Sequence, residues 1–220
     1  MKKSLLFLST ALLSTPVFSM DLLHQSYQAS ATVGAQGERV RFYENESFRE
    51  ETPVHTSFMA TKSGDGITTS MDYSLDVSHF VNEVSVNYHV DAKVTRSDEP
   101  RISGTLSQRG VSYHHFRATG NGVLVAHLRV IDATYECPER KTCLPMNANV
   151  SAYGNRQKGV VAYDIKKGFR DGVDTIQIPV EEGKTYYVRF NTGSSTSGGI
   201  PAQHVSAKYN LTWSIAYDSE

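Results

Sequence analysis

The chain is predicted to be all-β, an antiparallel β-sandwich of jelly-roll-like form. Three observations lead there. Apolar and polar residues alternate at period two in one segment after another; Gly-, Asn- and Asp-bearing turns separate those segments; and no stretch carries a sustained helical stripe of adequate length. Many short strands with regular turns bury their apolar faces by stacking as a sandwich or closing as a barrel.

The strands can be justified in order. Tyr27, Ala29, Ala31 and Val33 alternate first, and residues 38–51, which follow, are charged enough to hide a short helix. Met71, Tyr73, Leu75 and Val77 repeat the pattern, then Val84, Val86, Tyr88, Val90, Ala92 and Val94 stand against Ser85, Asn87, His89, Asp91 and Lys93. Leu124 to Val130, Ile176 to Val180, and Tyr186, Val188 and Phe190 continue it. The final strand sets Tyr209, Leu211, Trp213 and Ile215 against Asn210, Thr212 and Ser214, which assigns Trp213 to the core. Successive strand side chains project to opposite faces, so each segment has one buried and one wet side. Ser63-Gly64-Asp65-Gly66, Gly120-Asn121-Gly122, Asp171-Gly172 and Glu182-Gly183 supply turn chemistry between them.

The organisation begins with a leader. Met1-Lys2-Lys3 is positive, Leu5 to Leu13 is apolar apart from Ser and Thr, and Val17-Phe18-Ser19 suits a cleavage site. Residues 1–19 therefore read as a secretory signal peptide, shorter in its apolar run than the roughly 20 residues of a membrane helix. Residues 20–100 read as an N-terminal β region and 101–220 as the jelly-roll-like sandwich, with Ser97-Asp98-Glu99-Pro100 as the joint. The first region is expected to pack on the second or to complete it, and the length fits one large sandwich or two small units.

Charge and cysteines narrow the function. The 22 Lys and Arg nearly balance 23 Asp and Glu, and loss of the leader removes two of the cations. Nucleic acid is not an expected partner on that balance. Cys137 and Cys143 are the two cysteines, and after export a close pair of this kind is expected to form a disulfide. They make only half a zinc site, and five residues between them do not fit a redox motif.

Catalytic and cofactor motifs are sparse, so no cofactor or metal is expected. Gly193-Ser194-Ser195-Thr196-Ser197 departs from a nucleophile elbow at its last position, and no zinc-helix or phosphate-loop pattern occurs. The Gly193–Gly199 stretch reads as a mobile loop. His114 and His115 are adjacent in a strand and point to opposite faces, so they cannot share one metal. Outward positions are more suggestive. Tyr187 and Arg189 alternate with Tyr186, Val188 and Phe190, and His127 and Arg129 alternate with Leu128 and Val130. Tyr and Arg favour recognition surfaces through large contact area and directed hydrogen bonds, so these four are the candidate ligand-binding residues. Alternation with Tyr and Arg is also what an ordinary soluble strand uses.

Gly104-Thr105-Leu106-Ser107, Val111 to Arg117, Val123 to Leu128, Asp174 to Val180, Glu182 to Phe190 and Tyr209 to Ile215 occur in an order that resembles the bacterial pre-peptidase C-terminal domain. The resemblance covers about residues 103–217 and implies a jelly-roll-like sandwich with an accessory or binding role. Asn147, Asn149 and Ser151 stand where that family's strand is acidic, so the resemblance implies no calcium site here.

The leading expectation is a secreted, non-catalytic binding module for a glycan, a matrix protein or another cell-surface partner. Second stands a membrane-active pore-former, with His55 to Ser78 as an insertable Ser/Thr-rich hairpin. Third stands a hydrolase using His114 or His127 with a nearby carboxylate.

Overall fold

The computed structural model describes residues 20–64, 66–80, 83–97, 103–138, 143–164 and 172–218. The expected leader, most of the joint, and parts of the cysteine loop and of the Asp65 and Asp171 turns lie outside the described residues. The strands are β1 (Asp21–Ala35), β2 (Glu38–Phe48), β3 (Val54–Gly64), β4 (Ile67–Phe80), β5 (Glu83–Arg96) and β6 (Gly104–Arg117). They continue with β7 (Gly122–Glu136), β8 (Asn147–Gly154), β9 (Gln157–Asp164), β10 (Val173–Val180), β11 (Thr185–Gly198) and β12 (Gln203–Tyr217). Among the described residues there is no helix.

Two six-stranded antiparallel sheets form the sandwich. Sheet one runs β2-β1-β6-β11-β8-β9 and sheet two runs β10-β7-β12-β5-β4-β3. The jelly roll is visible in the pairing: β5 with β12, β6 with β11, β7 with β10 and β8 with β9. That is one long hairpin folded over two sheets. Its first strand, β5, precedes the Ser97–Pro100 joint. The remaining strands widen both layers, β1 and β2 beyond β6, and β4 and β3 beyond β5.

Two expectations are corrected. The Gly193–Gly199 stretch, read as a mobile loop, is strand up to Gly198: it forms the second half of β11, paired with β6 from Gly193↔Arg109 to Gly198↔Gly104. Residues 38–51 supply the other correction. Instead of a short helix, Glu38–Phe48 forms edge strand β2, in register with β1 from Ala35↔Glu38 to Gln25↔Phe48. Val40, Phe42 and Phe48 provide a period-two inner face that the charges obscure. Phe42 stacks on Phe58 at 5.4 Å and so helps close the gap between the sheets along that margin. The charges suit an edge, where they discourage pairing with another chain.

The core is continuous and rich in rings. Tyr73, Tyr88, Phe190 and Tyr209 cluster in its middle, with Tyr88 edge-on to Tyr73 at 5.3 Å and stacked on Tyr209 at 6.0 Å. The Tyr88 hydroxyl donates to Gln108 Oε1, which satisfies a phenol that would otherwise be costly to bury. Trp213 stacks on Phe116 at 5.0 Å, in the core as its strand pattern requires. The His55–Ser78 hairpin is β3–β4, paired in register from Val54↔Val77 to Gly64↔Ile67, with Met71, Tyr73, Leu75 and Val77 buried in the core. Cys137 and Cys143 form a disulfide with Cα atoms 6.0 Å apart, a cross-link that fits an oxidising compartment.

Candidate functional site

The two outer faces of the sandwich differ in chemistry. On sheet two the outward positions of β4, β5 and β12 are Ser, Thr, Asn, Asp, His and Lys, from Thr68 to Ser78, Ser85 to Thr95 and His204 to Ser214. Some of these groups engage one another. Asn210 Nδ2 donates to Asn87 Oδ1 at 2.9 Å, and His204 lies between Asp91, 3.2 Å from Nε2, and Glu136, 3.6 Å from Nδ1.

Sheet one presents aromatic rings instead. The strand registers place His24 opposite His115, His115 opposite Tyr187, and Tyr187 opposite Tyr153. One row of four rings thus crosses β1, β6, β11 and β8, about 14 Å at the usual strand spacing. The next row along the strands is Ser26, Tyr113, Arg189 and Ser151, and the one after it is Gln28, Val111, Asn191 and Asn149.

Tyr187 is the hub. His115 stacks on it with centroids 4.3 Å apart and planes 12° from parallel, Tyr153 stacks at 4.9 Å, and Tyr113 leans in at 5.5 Å. Rings stacked on one another across strands stand upright on the sheet and make a ridge, with two grooves beside it. One groove, of about 230 Å³, is bordered by Tyr113, Arg109, Arg189 and Gln28. The other, of about 590 Å³, lies over the β8–β9 hairpin beside Tyr153. Burial, then the neighbouring hydroxyls of Tyr153 and Tyr187, raises the Tyr113 phenol above its ordinary range, partly offset by the Arg189 guanidinium. Burial, then His24, lowers the His115 imidazole, so it stacks as a neutral ring at neutral pH. The arrangement offers flat apolar walls, hydrogen-bonding amides and hydroxyls, and fixed cations. Among the described residues, no carboxylate lines either groove.

The four residues singled out from sequence divide between the faces. Tyr187 and Arg189 are two apart on β11, at the centre of the ridge. His127 and Arg129 are on β7 in sheet two, on the other side of the sandwich, where His127 Nδ1 lies 2.9 Å from Thr175 Oγ1. His114 is fully buried, its ring 5.4 Å from Trp213 and 5.8 Å from His79, with Ser112 Oγ 3.4 Å from Nδ1. Sequence reasoning did not single out Tyr113, His115, Tyr153 or Arg109 as site residues, because only strand register brings them to Tyr187. Among the described residues no cluster of three metal-ligating side chains occurs.

The chain matches no family model and no curated protein.

Proposed function

We propose that this protein is an exported, non-catalytic binding module that takes a glycan on the outer face of sheet one. The single observation carrying this reading is the asymmetry of the faces: aromatic rings are aligned across four strands on one side, while β4, β5 and β12 on the other present Ser, Thr, Asn, Asp, His and Lys. Sugars have apolar C–H faces edged by hydroxyls. Aromatic walls flanked by Arg, Asn, Gln and Ser suit that amphipathic shape, the apolar contact giving affinity and the polar groups fixing orientation. The disulfide and the leader-like N-terminal segment support an extracytoplasmic setting. The resemblance of residues 103–217 to an accessory domain of secreted hydrolases is in keeping with binding rather than catalysis.

The test is an array of glycans and matrix proteins probed with the purified chain, with Tyr187→Ala and Arg189→Ala alongside. Saturable binding to a glycan that drops in both variants supports the proposal. A blank glycan array, or a hit that neither substitution weakens, removes it.

A further inference from the structure

The larger of the two grooves has a chemistry more specific than general sugar binding. It lies over β8 and β9, which pair from Asn147↔Asp164 to Gly154↔Gln157. Tyr153 walls it on the ridge side; Asn149, Ser151 and Gln157 line it with hydrogen-bonding groups; Arg156 and Lys158 supply two cations, and no carboxylate lines it. The register sets Lys158 directly across from Tyr153, and Arg189 neighbours Ser151 on the other flank. A near-neutral chain thus gathers positive charge beside its aromatic ridge.

The turn adds an independent observation. Asn155 and Arg156 both have positive φ, 41° and 67°, the backbone of a two-residue hairpin turn in which Asn at the first central position and Gly at the second are favoured. Asn155 follows that preference and Arg156 does not. A side chain with a Cβ is disfavoured there, so a glycine would relieve the backbone. Arg156 instead stations an exposed guanidinium at the groove mouth, and strain of this kind gathers where a side chain is functionally required.

We infer that the β8–β9 groove is a subsite for an acidic sugar, one ring of a polyuronate chain, with its carboxylate held by Arg156 and Lys158 and its apolar face against Tyr153. The planar fork of Arg matches a carboxylate in two parallel hydrogen bonds, which Lys reinforces as a point charge. This rests on the glycan-binding reading above and adds the charge of the ligand.

The experiment is calorimetric titration of the full chain with polygalacturonate, alginate and hyaluronan. Polygalacturonate with its carboxylates methyl-esterified, a sulfated polysaccharide without uronate such as dextran sulfate, and a single-stranded oligonucleotide serve as comparisons. At least one polyuronate should bind, polygalacturonate more tightly than its ester if it is that one, with affinity falling as salt rises. Arg156→Gly should weaken binding about tenfold while leaving the thermal midpoint unchanged or higher, because the turn is relieved. Lys158→Gln should weaken binding without altering stability. If neutral glycans bind but esterification and Arg156→Gly change nothing, the acidic subsite is wrong and the glycan module stands. If no polysaccharide here binds and the glycan array is also blank, both fall. Preference for the sulfated polymer or the oligonucleotide over every polyuronate overturns the uronate assignment.

Discussion

The imidazole of His115 lies flat on the phenol of Tyr187, from the neighbouring strand, with 4.3 Å between ring centres. Both project from the outside of the sandwich, so this contact shapes the ridge without being needed to fill the core. Tyr187→Ala is expected to weaken glycan binding about tenfold, the scale of losing one aromatic stacking partner. Its unfolding midpoint should move little. A variant that binds as wild type would show that the ridge is not the site.

The buried histidine gives a pH signature. Burial, with a smaller contribution from His79, lowers the His114 imidazole to about 3, whereas in the unfolded chain it titrates near 6.5. Between those values the unfolded chain binds the extra proton. Stability should therefore be full above pH 6.5 and decline as pH falls towards 3, by about 1.4 kcal/mol per pH unit for this one group. Burial also lowers His79, and its contribution has the same sign. Urea midpoints measured from pH 7.5 to 4.5 should fall, and His114→Phe should make the decline shallower. Equal slopes in the two proteins would disprove the assignment.

A glycine beneath the central tyrosine tests the packing. A Cβ at Gly110 would meet the Tyr88 ring at 2.7 Å and 2.9 Å, and that ring is fully buried with its hydroxyl tied to Gln108. Gly110→Ala should cost about 1–3 kcal/mol of stability by overpacking, read as a lower denaturant midpoint. Gly183, with nothing within 4 Å of an added Cβ, is a control for space but not for backbone, since its φ is 74°.

The disulfide is expected to act locally. It joins residues separated by six positions, so the chain-entropy relation gives about 2 kcal/mol. Replacing Cys137 and Cys143 together by Ser should lower stability by that order and leave glycan binding intact, because Cys143 precedes Asn147, at the end of β8 away from Tyr153. A loss of binding equal to that of Tyr187→Ala would move the site to the disulfide end.

Much of this was legible from alternation. Tyr186, Val188 and Phe190 are buried and Tyr187 and Arg189 face outward, as period two required. What alternation does not contain is the neighbour across the strand. His115 and Tyr153 lie far from Tyr187 along the chain, and antiparallel register alone sets them against it. For the same reason His127 and Arg129 looked equivalent to Tyr187 and Arg189 but belong to the opposite face. The segment 38–51 misled because its charges obscured Val40 and Phe42, whose inward face matters only beside β1. Arg156 gave no signal, since its backbone angle is set by the hairpin closing around it.

The rolled hairpin has a consequence for how the chain matures. β12 lies between β5 and β7, so until it arrives sheet two exists only as two fragments, β10-β7 and β5-β4-β3. Contacts such as Asp91 with His204 span 113 residues, and such distant pairings are slow to form. Before that insertion each fragment carries an unpaired backbone rim, the surface from which chains cross-associate. Truncation ahead of Gln203 should therefore yield aggregates rather than a smaller soluble sandwich, visible in the void volume of a sizing column. The final strand of the roll is thus the keystone, and everything before it is scaffolding that waits.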